Sequence, residues 1–181
     1  DCFLIEERLS AELDIPVFHD DQHGTAIITS AGVVNALLLT GKRMEDAKFV
    51  FSGAGAAAIG TAKLLESLGA KRQNIMLVDS KGVVREGTPS LKSNPYKSQY
   101  ARATDRVTLA DALVGADVFI GVSIGGIVTE EMVVAMGPKP VIVALANPDP
   151  EIPYAAARRA RPGVRRHRVR PPTRRRVRRH R

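Results

Sequence analysis

Two adjacent carboxylates, Asp20 and Asp21, stand about thirty residues ahead of a glycine- and alanine-rich run, Gly53-Ala54-Gly55-Ala56-Ala57-Ala58-Ile59-Gly60. Side by side, two hard oxygen donors suit a divalent cation such as Mg2+ or Mn2+, which prefers oxygen ligands. Helix capping is the plainer use of an Asp before a helix start. Capping takes only one, however, and two bare neighbours repel each other, so metal or catalytic use is the favoured reading. His19 and His23 flank the pair but share no standard metal-ligand spacing with it, and are read as structural groups around it.

The glycine run directly follows the β-rich Lys48-Phe49-Val50-Phe51 and directly opens a helical pattern, the context a dinucleotide turn needs. Gly53 would permit the tight turn and Gly55 would let a pyrophosphate approach the backbone. Ala58 and Gly60 would keep the helix close to the sheet. The helix N-terminus adds partial positive charge and unpaired N–H groups for the phosphates. Asp79 ends the next apolar run, 24 residues beyond Gly55, close to the roughly 20-residue spacing of a ribose-binding carboxylate. An Asp there favours NAD. Ser80, Lys81 and Arg85 follow at once and would suit the 2′-phosphate of NADP, so both cofactors stay open. Later, Gly121-Val122-Ser123-Ile124-Gly125-Gly126 and Ala146-Asn147-Pro148-Asp149-Pro150 each follow an apolar run. Such places bind ligand in open α/β sheets. Asn147 there either bonds a nicotinamide ribose or amide, or belongs to an Asn-Pro turn that ends the strand.

The elements that must hold these residues alternate. An amphipathic helix opens the chain with Phe3, Leu4, Leu9 and Leu13 at helical spacing, and Ile15 to Phe18 reads as extended. A nearly all-apolar helix from about Thr25 to Thr40 stops at Gly41, and such a helix is expected to be buried. Apolar strand-like runs 48–51, 74–79, 117–120 and 140–145 then alternate with helical runs 57–68, 109–113 and 130–136. This is the pattern of a parallel sheet covered on both faces, a doubly wound, mostly parallel α/β sheet of Rossmann type. Residues 81–103 form the one long irregular stretch, expected to be a solvated connection over the sheet edge, with a lid as the other possibility.

The net charge of +8 is misleading until it is located. Residues 1–157 hold all 19 acidic side chains against 14 basic ones, whereas residues 158–181 hold 13 arginines and no acid. A nucleic-acid partner would therefore have to work adventitiously through that tail, which has too little apolar content to fold. The single Cys2 excludes an intrachain disulfide and is expected to be a small buried hydrophobe. With no run of eighteen apolar residues and no signal-peptide pattern, the expectation is a soluble, cytoplasmic protein.

On Phe18 to Thr25, Phe51 to Gly60, Val78-Asp79-Ser80-Lys81-Gly82, Phe119 to Thr129 and Ala144 to Glu151, the chain resembles the malic enzyme family, specifically its bacterial NAD(P)-dependent type. The resemblance runs to about Pro162. It implies oxidative decarboxylation of (S)-malate to pyruvate and CO2 with NAD or NADP and a Mg2+ or Mn2+ ion, in a homodimer. Asp21 matches a metal ligand, Asp20 the acid that orients a catalytic lysine, and Gly53, Gly55, Ala58 and Asp79 the cofactor turn. Asn147 matches a residue near substrate and nicotinamide. The resemblance also implies that the other two metal carboxylates, a catalytic tyrosine and the lysine belong before Asp1, so that the 181 residues by themselves are expected to be inactive or nearly so. On this reading residues 1–23 are the end of a substrate domain and 24–157 an incomplete NAD(P)-binding domain. Residues 158–181 are a disordered or frameshifted tail. Val164-Arg165-Arg166-His167-Arg168 can be encoded so that reading from the second base gives Ser-Val-Ala-Thr-Gly, the text the family leads one to expect there. A cofactor-binding fragment whose basic tail binds polyanions is the competing reading.

Overall fold

The structure, a computed structural model, describes residues 2–88, 91 and 95–161. Helix α1 spans Cys2–Glu12 and α2 spans Asp20–Thr40. After them come β1 (Phe49–Ser52), α3 (Ala56–Ser67), β2 (Ile75–Asp79), β3 (Gly82–Val83), α4 (Pro95–Ser98), α5 (Leu109–Leu113), β4 (Val118–Gly121), α6 (Glu130–Ala135), β5 (Val141–Ala144) and α7 (Tyr154–Ala160), a helix lying between each parallel strand and the next. The strands form one sheet in the order β3-β2-β1-β4-β5, parallel except for the two-residue β3 at its edge.

Because side chains alternate across a strand, β1 points Phe49 and Phe51 to one face and Val50 to the other, and all four of its residues are buried. β4 is likewise buried throughout. Phe49, Phe51, Leu77 and Ile120 pack with Ile59 and Leu65 of α3 on one face, while Val50 and Phe119 pack with Leu113, Val133 and Ile152 on the other. Continuous β-branched and aromatic runs are what a strand covered on both faces requires. Thr108 starts α5 with a reciprocal cap: its hydroxyl accepts the Asp111 N–H at 3.1 Å, and Asp111 accepts the Thr108 N–H at 2.8 Å.

Several expectations change. The long helix begins at Asp20 rather than after Thr25, so the paired carboxylates lie inside its first turn, and residues 15–18 before it join no strand of the sheet. The helix runs unbroken through residues 23 and 24. It is not wholly buried: only one side, through Ala26, Val33 and Leu37, faces the core, while Ile28, Leu38 and Leu39 are at least 70% exposed. By length and composition α2 matches a membrane-crossing helix, yet one side packs tightly on α3, where a side chain at Gly60 would come within 2.7 Å of the Gln22 carbonyl.

The connection after β3 is not a free solvated loop where it is described. Tyr100 is buried and donates to Glu66 at 2.6 Å, and Arg102 donates to the Ile75 carbonyl at 2.8 Å. Burial first, and then the Glu66 bond, push the Tyr100 phenol up. Cys2 is half-buried rather than enclosed. The arginine-rich tail beyond Arg161, with its frameshift reading, lies outside the described residues.

Candidate functional site

Strand order reverses between β1 and β4, and a cleft of about 590 Å3 opens where β4 and β5 end. Such a switch point is where open α/β sheets bind ligand. The wall comes from four places: the first turns of α2 (Asp20, Gly24, Thr25, Ile28, Thr29), Ala57 of α3, the loop after β4 (Val122, Ser123) and the loop after β5 (Leu145, Ala146, Asn147).

The glycine turn is held at its edge by two backbone bonds, Gly53 N–H to the Val78 carbonyl at 2.8 Å and Val122 N–H to the Ser52 carbonyl at 2.9 Å. Gly53 has φ 122°, and a Cβ there would sit 2.9 Å from the Val122 carbonyl oxygen, so both backbone conformation and space demand glycine. Gly55 is the N-cap of α3, extended, with nothing of the protein within 4 Å of where a side chain would go. That open space beside the free N–H groups of a twelve-residue helix fits a phosphate. Ala58 is fully buried one turn in, and serves the packing of α3 on the sheet.

The two carboxylates separate. Successive residues on a helix point about 100° apart and do not face each other. Asp20 lines the cleft, its carboxyl lying against Gly24 in the space a Cβ there would take. Asp21 is exposed and is not among the cleft-lining residues. Neither caps the helix. The N-cap is His19, whose N–H donates to Nδ1 of His23 at 3.2 Å, and Nε2 of His23 lies 3.6 Å from Glu6. Both acids instead complement the positive end of the helix dipole. Among the described residues no three His, Cys, Asp or Glu side chains come together to hold a metal ion, so the metal does not fit these residues alone.

Asp79 ends β2 on the other side of the switch point, with Ser80 and Lys81 exposed after it. One carboxylate oxygen accepts the Lys81 N–H at 2.7 Å and the other is paired with the Lys97 ammonium. A cation thus stands beside the place a ribose would occupy. The cleft itself joins Asp20 and Asn147 but not Asp79, Ser80 or Lys81, as expected if a dinucleotide spans the reversal with one half on each side.

Sequence reasoning passed over Thr29 and Glu151 here, and named Ser123 only within the run that follows β4. Thr29 is buried, lines the cleft and leaves its hydroxyl without a partner. Ser123 shares a 2.7 Å bond with Ser52 across β1 and β4. Glu151 is fully buried behind both strand-end loops. Thr29 lies one helical turn beyond Thr25 on the same side of α2, a spacing that would have flagged it; nothing local to Glu151 marks it.

A parallel sheet with a glycine turn leading from β1 into α3, an acid at the end of β2 and a cleft at the strand reversal defines a dinucleotide-binding domain. The family model of the malic enzyme NAD-binding domain matches residues 22–159, and the chain belongs to the malic enzyme family. It is 56% identical over 152 residues to an NADP-dependent malic enzyme of Rhizobium meliloti, covering 84% of this chain and 20% of that protein. It is 51% identical over 162 residues to an NAD-dependent malic enzyme of the same organism, covering 90% and 21%. The chain therefore spans about a fifth of the length of these relatives. The crystal structure of the NAD-dependent malic enzyme from Thermotoga maritima superposes with a TM-score of 0.81 at 48% identity, over 88% of this chain and 43% of that one.

Proposed function

We propose that the chain takes part in the oxidative decarboxylation of (S)-malate to pyruvate and CO2 with NAD or NADP as hydride acceptor, in the cytoplasm. The observation that carries it is the cleft at the ends of β4 and β5, which puts Asp20 and Asn147 in one wall beside the start of α3. A bound nicotinamide would supply the acceptor for the hydride from C2 of malate; the protein's own residues bind and orient. The α3 N-terminus, open at Gly55, receives the pyrophosphate. Asp79 bonds the adenine ribose, with Lys81, Ser80 and Lys97 near enough in the chain's fold to receive a 2′-phosphate in its place. Asn147 and the unpartnered Thr29 hydroxyl offer hydrogen bonds to the nicotinamide half or to malate. Asp20 holds an acceptor oxygen toward the cleft, suited to orienting a proton-carrying group. Asp21 is the proposed ligand of a Mg2+ or Mn2+ ion on the strength of the family resemblance; among the described residues it has no companion carboxylates to complete a site.

Titrating the purified chain with NADH and NADPH and following nicotinamide fluorescence tests the reading. Saturable binding is expected, with malate altering the bound signal in the native chain and not in Asp20→Asn. Absence of saturable dinucleotide binding refutes the proposal. No lysine or tyrosine lines the cleft among the described residues, so malate-dependent NAD(P)H production by these 181 residues alone is expected to be absent or nearly so. Measurable turnover that is lost on Asp21→Ala would overturn that expectation.

A further inference from the structure

Both oxygens of one buried carboxylate hold the cleft's far wall. Glu151 is fully enclosed; its Oε1 accepts the Ser123 N–H at 3.1 Å and its Oε2 accepts the Ala146 N–H at 3.1 Å. Ser123 lies on the loop after β4 and Ala146 on the loop after β5, and both line the cleft. The carboxyl rests against Gly121, where any side chain would overlap it. The surrounding backbone closes the same way: the Glu151 carbonyl accepts the Val128 N–H and the Pro150 carbonyl accepts the Gly126 N–H, each at 3.0 Å. Through the Ser123 hydroxyl, 2.7 Å from that of Ser52, the tie extends to the end of β1.

Enclosing a carboxylate is costly unless its oxygens are bonded, and here each oxygen accepts a backbone N–H. Two N–H groups facing one side chain call for two acceptors. An amide supplies one acceptor and one donor, so Gln at this position would set an N–H against an N–H and release one loop.

We propose that Glu151 is a positioning residue that fixes the spacing of the Ser123 and Asn147 arms around the nicotinamide half of the dinucleotide. The proposal rests on the dinucleotide reading of the cleft. With the reversal between β1 and β4, the adenosine half lies over β1 and β2 and the other half over β4 and β5. Glu151 touches only the second pair of strand ends. Its direct bonds therefore predict an effect on the nicotinamide half far larger than on the adenosine half, whereas a general loss of stability would weaken both.

Affinities of the native chain, Glu151→Gln and Glu151→Asp for NADH and for ADP, measured by calorimetry with bound NADH fluorescence as a second signal, test this. Asp keeps the charge but is one methylene too short to span both amides. Both variants are expected to keep ADP affinity within about 2-fold, to lose about 10-fold in NADH affinity, and to shift bound NADH emission toward that of free NADH. Equal weakening of ADP and NADH, or no weakening of either, in the variants that fold overturns the positioning role while native NADH binding stays intact. A native chain that binds neither ligand instead removes the dinucleotide reading on which the proposal stands.

Discussion

Replacing Gly55 by alanine separates ligand binding from folding at the glycine turn, because the added methyl meets nothing of the protein within 4 Å. Gly55 has φ −94° and ψ −162°, a conformation open to any L residue. Alanine there restricts the unfolded chain, which stabilises by about 0.4–1 kcal/mol, and weakens the N-cap position by a similar amount. The two nearly cancel, leaving a change within about 1 kcal/mol. Gly53→Ala behaves differently. Its φ of 122° leaves an L residue strained by about 1–3 kcal/mol. The contact with the Val122 carbonyl at 2.9 Å adds overpacking of about 1–3 kcal/mol, against a total stability of about 5–15 kcal/mol. For the ligand the order reverses. A methyl at position 55 occupies the space through which a phosphate would reach the α3 amides. Losing one charge-assisted bond, about 1.5–3 kcal/mol, lowers dinucleotide affinity roughly 10- to 150-fold. Urea unfolding and NADH titration of both variants check this. Gly55→Ala with the native dissociation constant refutes the pyrophosphate assignment, and Gly55→Ala with the unfolding behaviour of Gly53→Ala refutes the claim of open space.

Three other perturbations follow. Asp79→Ala removes the ribose acceptor and a negative charge that would repel a 2′-phosphate, so the ratio of NADPH to NADH affinity should rise by about 10-fold or more, and an unchanged ratio from parallel titrations rules out Asp79 as the discriminating group. Gly60→Ala would raise stability by about 1 kcal/mol at an exposed helical site; here the 2.7 Å approach to the Gln22 carbonyl reverses the sign, to a net loss of up to about 2 kcal/mol, and a stabilised variant in urea contradicts the tight α2–α3 seam. The Thr108 and Val107 amides hold the Asp111 carboxyl below the usual carboxylate range. Its contribution is therefore full above the unfolded value of about 3.9 and disappears as pH falls through the lower folded value. The melting-temperature gap between the native chain and Asp111→Ala should narrow between pH 5 and pH 2.5, and a gap that does not change with pH removes the charge from the cap.

Much of the sheet was legible before any coordinates. The runs at 49–52, 75–79, 118–121 and 141–144 are short, apolar and β-branched, and parallel strands covered on both faces leave that mark. The helices were harder at their ends. The start of α2 contains Asp20, Asp21 and Gly24, residues that suggest a boundary, yet both acids lie inside the first turn; the N-cap is His19, which makes no side-chain cap bond, and its own N–H donates to His23. Burial of α2 was overestimated because apolar composition does not say how many neighbours a helix has; α3 covers one side only. The stretch after β3 looked solvated by its glycines and lysines, yet Tyr100 and Arg102 anchor it to Glu66 and Ile75.

Local rules were enough for the turn at Gly53 to Gly60 and for Asp79, since a turn, a helix start and the next strand end are set within one βαβ unit. Which member of the Asp20–Asp21 pair faces the cleft was decided only by the fold, through the 100° step between neighbours on a helix seated against α3. The same holds for Glu151. The two amides it joins lie on different strand ends, 28 and 5 residues away in the chain, and come together only because β4 and β5 pair side by side in the sheet.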